Sequence, residues 1–122
     1  MDQRTILAVE DNEYNRKIVR KLLGSSYRLV EAVDGEAGVA LALAELPDLI
    51  LMDVQLPKMS GLEATRILRA DARTKDIPIV IITSFALSGD RERAADAGAA
   101  GYLAKPYSPG DLLALVRKFL PE

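Results

Sequence analysis

The chain has 122 residues and a net charge of −2, from 18 acidic and 16 basic side chains. Because it contains neither cysteine nor histidine, disulfides, thiolate or imidazole metal sites and Ser–His–Asp catalysis are excluded, and a metal ion would need oxygen ligands, as Mg²⁺, Mn²⁺ and Ca²⁺ do. The sequence has an acidic balance, which disfavours nucleic-acid partners. It has no secretory leader and no apolar run of about 20 residues, which predicts a cytoplasmic protein without membrane partners. The length predicts one domain at 1–122 with no output domain.

Short apolar runs recur along the chain at intervals typical of strand–helix units. Strands are predicted at Thr5–Val9, Tyr27–Glu31, Asp48–Met52, Ile77–Ile82 and Gly101–Ala104. The third and fourth runs do not alternate with polar residues, which is typical of parallel strands that are buried on both faces.

The segments between these runs carry residues typical of helix ends. Expected N-caps are Asn12, Asp34, Ser60 and Ser108, and expected C-terminal glycines are Gly24 and Gly98. Glu63 gives Ser60 a capping-box pattern, and Pro109 suits the first position of the last helix. Five strands alternating with five helices predict an α/β fold, a doubly wound parallel sheet of flavodoxin-like order 2-1-3-4-5 with helices on both faces.

Polar side chains follow the C-terminal ends of four predicted strands. They are Glu10 and Asp11 after the first, Asp53 after the third, Thr83 and Ser84 after the fourth, and Lys105 after the fifth. Since the carboxyl ends of parallel strands meet at one edge, where open α/β folds bind ligands, we expect these side chains to converge. The switch point lies between the first and third strands, so Asp11 and Asp53 should face each other.

This set of side chains is typical of phosphoryl chemistry. Carboxylates packed together repel one another unless a cation intervenes, and Mg²⁺, or Mn²⁺, prefers such oxygen ligands. An Asp carboxylate is also a nucleophile toward phosphorus and forms an aspartyl-phosphate. Lys105 and the Thr83 hydroxyl would then supply charge neutralisation and positioning.

Each of these residues also has an ordinary structural interpretation. Asp53 alone could be a turn residue, and the pair Glu10–Asp11 could favour the N-terminus of a helix. Thr83 could be a plain strand residue and Lys105 a surface lysine. The sequence favours a functional site because these positions fall at the ends of four different strands.

The same residues carry a resemblance to a protein family. Over essentially its whole length the chain resembles the receiver domain of two-component response regulators, above all the stand-alone and hybrid-kinase receivers. The matching segments are ILAVEDN at 6–12, LILMDVQLPKMSG at 49–61, IPIVIIT at 77–83 and GYLAKP at 101–106, with VEDNEYNR at 9–16 and FALSGD at 85–90.

The resemblance implies a phosphorelay role. Asp53 would accept a phosphoryl group from a phosphohistidine on a sensor histidine kinase or histidine phosphotransfer protein, and a downstream protein target would receive the signal. The implied Mg²⁺ ligands are Asp11, Glu10 (mainly through water), Asp53 and the backbone carbonyl of Gln55.

The resemblance also implies how the phosphoryl group is held and sensed. Thr83 and Lys105 would contact it, and Tyr102 would change its burial on activation, although a strand aromatic also fills core. A cis bond between Lys105 and Pro106 is implied as well, against a low general frequency of cis X–Pro bonds.

Three positions bear on how long the phosphoryl group persists. The residue after Thr83 is most often Ala or Gly in the family, whereas here it is Ser84, whose hydroxyl would donate to the phosphate or narrow access to it. Gln55 and Phe85 lie at positions that tune hydrolysis in the family.

One other motif has an open interpretation, and a second can be excluded as a phosphate-binding loop. A basic cluster on the first helix, formed by Arg16, Lys17, Arg20 and Lys21, is either a solvated face or a docking face for a kinase or phosphotransfer helix. The glycines Gly35 and Gly38 do not form a phosphate loop, because no Gly-x-Gly-x-x-Gly or Gly-Lys-Ser/Thr sequence is present.

Two rival functions use related chemistry. A Mg²⁺-dependent phosphatase with an Asp nucleophile usually has a second Asp two residues later, where this chain has Gln55. A flavin- or nucleotide-binding module of the same fold needs a Ser/Thr/Gly-rich first loop, whereas Glu10 and Asp11 would repel phosphate without a metal. The sequence therefore predicts a signalling phosphoacceptor, not an enzyme, that assists its own phosphorylation and slow dephosphorylation. Lacking histidine, it must obtain the phosphoryl group from another protein or a small acyl phosphate.

Overall fold

Five strands and five helices alternate along the chain in the computed structural model, which describes residues 3–84 and 89–121. The strands are β1 (Thr5–Val9), β2 (Arg28–Ala32), β3 (Leu49–Asp53), β4 (Ile79–Thr83) and β5 (Gly101–Ala104). The helices are α1 (Glu13–Leu23), α2 (Gly35–Glu45), α3 (Gly61–Ala70), α4 (Asp90–Ala97) and α5 (Pro109–Phe119). Within the described ranges, none of the helices is long and apolar enough to cross a bilayer.

The strands form one sheet of order β2-β1-β3-β4-β5 in which every pair is parallel, so the predicted order is confirmed. Alternate residues of a strand point to opposite faces. In β1, Ile6 and Ala8 pack with α1 and α5, whereas Leu7 and Val9 pack with α2 and α3. Every residue of β3 and β4 is buried, as the uninterrupted apolar runs predict.

Three strands begin and end one or two residues later than predicted, and each start is shifted for a local reason. Tyr27 donates its N–H to the carbonyl of Leu23 at 3.0 Å and so belongs to the turn after α1, before β2 begins. The side chain of Asp48 accepts the N–H of Thr5 at 2.8 Å, and β3 begins at the next residue, Leu49. Pro78 has no N–H for the ladder, so β4 begins one residue after it.

The shift of β3 and β4 matters for the functional edge. Asp53 and Thr83 are the last residues of their strands, and do not follow them as predicted. Asp53 pairs with Ile82 and Thr83 with Ala104. Both polar side chains are therefore held on sheet backbone, where Asp53 is 7% and Thr83 1% exposed.

The predicted N-caps are confirmed, and each accepts the backbone N–H of the residue three positions later. The caps are Asn12, Asp34, Ser60 and Ser108. The reciprocal capping box is complete at Ser108 with Asp111. Gly24 and Gly98 end α1 and α4 as predicted, and Gly98 adopts a φ of 105°, which favours glycine.

Candidate functional site

Three carboxylates meet where the strand order reverses. Glu10 and Asp11 follow β1, Asp53 ends β3, and one carboxylate oxygen from each lies within 4.8 Å of the other two. Glu10 and Asp53 are each 7% exposed, whereas Asp11 is open to solvent. The predicted convergence of Asp11 and Asp53 is thus what the topology produces.

Lys105 neutralises part of this cluster. Its Nζ lies 2.5 Å from Glu10 Oε1 and 3.3 Å from Asp53 Oδ2. Burial by itself lowers the pKa of the Lys105 ammonium, but the hydrogen bond with Glu10 and the charge of Asp53 outweigh it and raise the pKa above 10.5. The lysine therefore stays charged at neutral pH and links the ends of β1, β3 and β5.

The backbone of the β1–α1 turn is held on several sides. The N–H of Glu10 donates to the carbonyl of Ala32 at 2.9 Å, which continues the pairing of β1 with β2. The N–H of Asn12 donates to Glu10 Oε2 at 3.2 Å, and Arg16 Nη1 donates to the carbonyl oxygen of Glu10 at 2.9 Å. The contact with Arg16 was not foreseen, since the sequence shows Arg16 only as one member of a basic cluster.

The β3–α3 loop closes tightly on Asp53. A Cβ on Gly61 would lie 1.9 Å from the carbonyl oxygen of Asp53, so glycine is required at this close approach. The N–H of Gln55 donates to Asp53 Oδ1 at 3.3 Å, which brings the Gln55 backbone beside the carboxylate. The sequence carries a signal for Gly61, since glycine within a helix is destabilising by about 0.5–1 kcal/mol relative to alanine and its presence there suggests a close approach.

The first turn of α2 supports the same loop from the other side. A Cβ on Gly35 would lie 2.2 Å from the carbonyl oxygen of Met59, and Asp34 forms a 3.7 Å ion pair with Lys58. A Cβ on Gly38 would lie 2.9 Å from the side chain of Val9, the last residue of β1. These glycines bring α2 against the β3–α3 loop and the end of β1, next to the acidic cluster, and the sequence prediction missed this role.

The donor set fits a hard divalent cation. The cluster offers only oxygen atoms, carries three formal negative charges against the single charge of Lys105, and keeps Asp11 open toward solvent. Mg²⁺ binds through such carboxylates while retaining several waters.

The remaining predicted residues lie along the same edge. Ser84 is exposed and lines a groove beside Lys105. Tyr102 pairs with Ile81, two positions before the pair of Thr83 with Ala104, so Tyr102 and Thr83 share a face of the sheet. The Lys105–Pro106 bond is cis, as the resemblance implies. Phe85 lies outside the described residues.

The basic cluster on α1 divides into two kinds of residue. Arg20 donates to both carboxylate oxygens of Glu31, at 2.7 and 2.8 Å, and Arg16 pairs with Glu13 and Glu31. Lys17 and Lys21 are exposed. The two arginines therefore form ion pairs with acidic residues of the same chain, while the two lysines face solvent.

A family model for the response regulator receiver domain matches residues 6–117. The chain belongs to this family. The polar-differentiation response regulator DivK of Brucella anthropi is 39% identical over 120 residues, which make up 98% of each chain.

Solved receivers have the same fold. The receiver domain of sensor histidine kinase PA1611 from Pseudomonas aeruginosa, which has a magnesium ion coordinated in its active site cleft, is 37% identical with a TM-score of 0.90 over the whole of both chains. The chemotaxis protein CheY4 of Vibrio cholerae is 30% identical with a TM-score of 0.89, over 96% of this chain and 98% of CheY4. Family membership confirms the predicted fold and receiver function and disfavours the phosphatase and flavin-binding alternatives.

Proposed function

We propose that Asp53 of this receiver accepts a phosphoryl group from a phosphohistidine on a sensor histidine kinase or histidine phosphotransfer protein, at a Mg²⁺ site. The position of the Asp53 carboxylate carries the proposal, because it lies within 4.8 Å of the Glu10 and Asp11 carboxylates and 3.3 Å from Lys105 Nζ. An acceptor carboxylate next to both a cation site and a fixed ammonium meets the needs of phosphoryl transfer.

The transfer exchanges one bond to phosphorus for another. A carboxylate oxygen of Asp53 attacks the phosphorus, the P–O bond forms as the P–N bond breaks, and the donor imidazole leaves with the electron pair and takes up a proton. Slow hydrolysis by water returns the carboxylate and releases inorganic phosphate. Each cycle modifies and restores the protein itself, which makes it a phosphoacceptor that assists its own chemistry.

Four groups would hold the cation: the carboxylates of Asp11, Asp53 and, through water, Glu10, and the backbone carbonyl of Gln55. When bound, Mg²⁺ or Mn²⁺ would reduce the repulsion between the incoming phosphoryl oxygens and the carboxylates. Lys105, which bonds Glu10 and Asp53 in this structure, would pair with a phosphoryl oxygen after transfer.

A groove of about 540 Å³ beside Lys105 is the proposed docking site of the donor. Ile18 and the 72% exposed Tyr14 line it from α1, and Pro106 and Tyr107 line it from the segment after β5. The apolar walls suit a helix that carries the phosphohistidine, and Lys17 and Lys21 on α1 would attract acidic residues of that helix. We expect this exchange to take place in the cytoplasm.

The proposed output is a change at Tyr102. Phosphorylation adds about 1.5 to 2 negative charges and three acceptor oxygens, which would recruit the Thr83 hydroxyl. Tyr102 lies on the same face of the sheet as Thr83, packs with Ile81, and has the Arg91 guanidinium 4.8 Å from its ring centroid. Movement of Thr83 would therefore let Tyr102 turn inward and alter the surface of α4, β5 and α5 for a downstream protein target.

Labelling of the acceptor tests the proposal. Acetyl phosphate with Mg²⁺ should add one phosphoryl group to the wild type and to Asp96→Asn, an exposed control position on α4, as measured by intact-protein mass spectrometry. Asp53→Asn should remain folded and unlabelled, because an amide is a far poorer nucleophile. Stoichiometric, Mg²⁺-dependent labelling of Asp53→Asn would refute the assignment.

A further inference from the structure

Arg16 is the member of the basic cluster that turns toward the acidic site. Its side chain is 13% exposed, and its Nη1 donates to the carbonyl oxygen of Glu10 at 2.9 Å. Arg20, one turn further along α1, is 45% exposed and pairs with Glu31. Within the described part of the chain, both arginines pair with Glu31, but only Arg16 contacts Glu10.

The guanidinium of Arg16 is anchored on its other sides. Its Nη2 forms an ion pair with Glu13, and its Nε lies 3.6 Å from Glu31 Oε1 on β2. Because a guanidinium is planar and its donors form a rigid fork, these two carboxylates determine where Nη1 points. The hydrogen bond to Glu10 is therefore directed by both α1 and β2.

The group that Arg16 holds lies between two of the three carboxylates. The carbonyl of Glu10 belongs to the planar peptide that joins Glu10 to Asp11. Its orientation is described by the ψ of Glu10 and the φ of Asp11, which set the direction of the Asp11 side chain relative to Glu10 and β1. Asp11 itself is exposed at the open side of the site, so packing of its side chain does not hold this peptide in place.

We propose that Arg16 is a positioning residue for the divalent cation: Arg16 holds the Glu10–Asp11 peptide so that the Asp11 carboxylate faces Asp53 beside the Glu10 carboxylate. This inference rests on the proposed function, which assigns the cation to that site. Groups that orient metal ligands without touching the metal typically contribute 10–100-fold to affinity, and we expect about 10-fold here.

The charge of Arg16 makes the sign of the effect informative. A positive side chain near a cation site repels the cation, so by electrostatics alone the loss of Arg16 would tighten Mg²⁺ binding. Loss of positioning would weaken it. The two explanations therefore predict changes in opposite directions for the same substitution.

The test compares Arg16→Met with Arg20→Met. Both remove one positive charge from α1 and one partner of Glu31, but Arg16→Met also removes the ion pair with Glu13 and the bond to Glu10. The freed Glu13 carboxylate would attract the cation, so only the loss of the Glu10 bond predicts weaker binding. Mg²⁺ affinity is measured by titration of amide chemical shifts, after urea unfolding has shown that each variant is folded. Should Arg16→Met fail to fold, Arg16→Gln replaces it. We expect Kd to rise about 10-fold for Arg16→Met and to stay within about twofold of wild type, or fall, for Arg20→Met.

Two results would overturn the inference. The first is that Arg16→Met binds Mg²⁺ as tightly as the wild type, or more tightly. The second is that both variants weaken Mg²⁺ binding to the same extent, because the cause would then be the loss of a partner of Glu31. Asp11→Asn separates this failure from failure of the proposed function. If Asp11→Asn binds Mg²⁺ as tightly as the wild type, the cation site itself is wrongly assigned.

Discussion

Replacing Lys105 with methionine removes the ammonium from the acidic site while keeping most of the side-chain volume. The side chains of Lys105, Glu10 and Asp53 are only 13%, 10% and 9% exposed, so the substitution leaves two nearly buried carboxylates without their shared cation. Breaking a buried pair by removing one partner costs about 3–5 kcal/mol. Since the crevice is open beside Asp11, we expect the lower end, about 3 kcal/mol, out of a total stability of about 5–15 kcal/mol.

Urea unfolding at pH 7 with EDTA, followed by circular dichroism, measures this loss. Mg²⁺ should stabilise Lys105→Met more than the wild type, because the cation replaces the missing positive charge; binding at 100 times Kd contributes about 2.7 kcal/mol. Lys58→Met is the control. Lys58 is 61% exposed and lies 3.7 Å from Asp34, so its loss should cost less than about 1 kcal/mol, with or without Mg²⁺.

The pH dependence has a definite sign. Because the folded-state pKa of Lys105 is raised above 10.5, its stabilising effect is complete below pH 10.5 and is lost as the pH rises through the folded value. The difference between wild type and Lys105→Met should therefore be constant near neutrality and narrow only in strong alkali. A loss below about 1 kcal/mol in EDTA, or one that Mg²⁺ leaves unchanged, would refute the electrostatic account of the site.

Three further predictions follow from single contacts. Asp11→Asn should weaken Mg²⁺ binding at least about 10-fold in amide-shift titrations and raise the stability of the metal-free protein in urea, because it removes both a ligand charge and a repulsion. Thr83→Ala should still accept a phosphoryl group from acetyl phosphate, but beryllofluoride should no longer shift the amide of Tyr102; a persisting shift would contradict the coupling. Asp71 should titrate with a pKa of about 2, chiefly because the Arg73 side chain hydrogen-bonds its carboxylate. In Arg73→Ala, carboxyl NMR should show the pKa of Asp71 moving back toward 3.8. The contribution of Asp71 to stability is present above pH 3.8 and is lost as the pH falls through about 2.

The sequence determines the order of the elements and most of their ends. The uninterrupted apolar runs that become β3 and β4 specify strands buried on both faces, and an N-cap such as Asn12 or Ser108 acts on a backbone N–H only three residues away. These are local effects, so pattern alone predicts them. The convergence of Asp11 and Asp53 also follows from pattern, because a parallel sheet brings all its carboxyl ends to one edge.

Tertiary structure decided which groups touch at that edge. Lys105 donates hydrogen bonds to Glu10 and Asp53, which lie 95 and 52 positions away in sequence. Arg16, a member of the basic cluster on α1, donates to the Glu10 carbonyl. The close approach of Gly61 to Asp53 depends on how a loop packs. Such contacts depend on ångström-scale distances between elements, which arise from the packing of the helices on a twisted sheet, and no local pattern of residues encodes those distances.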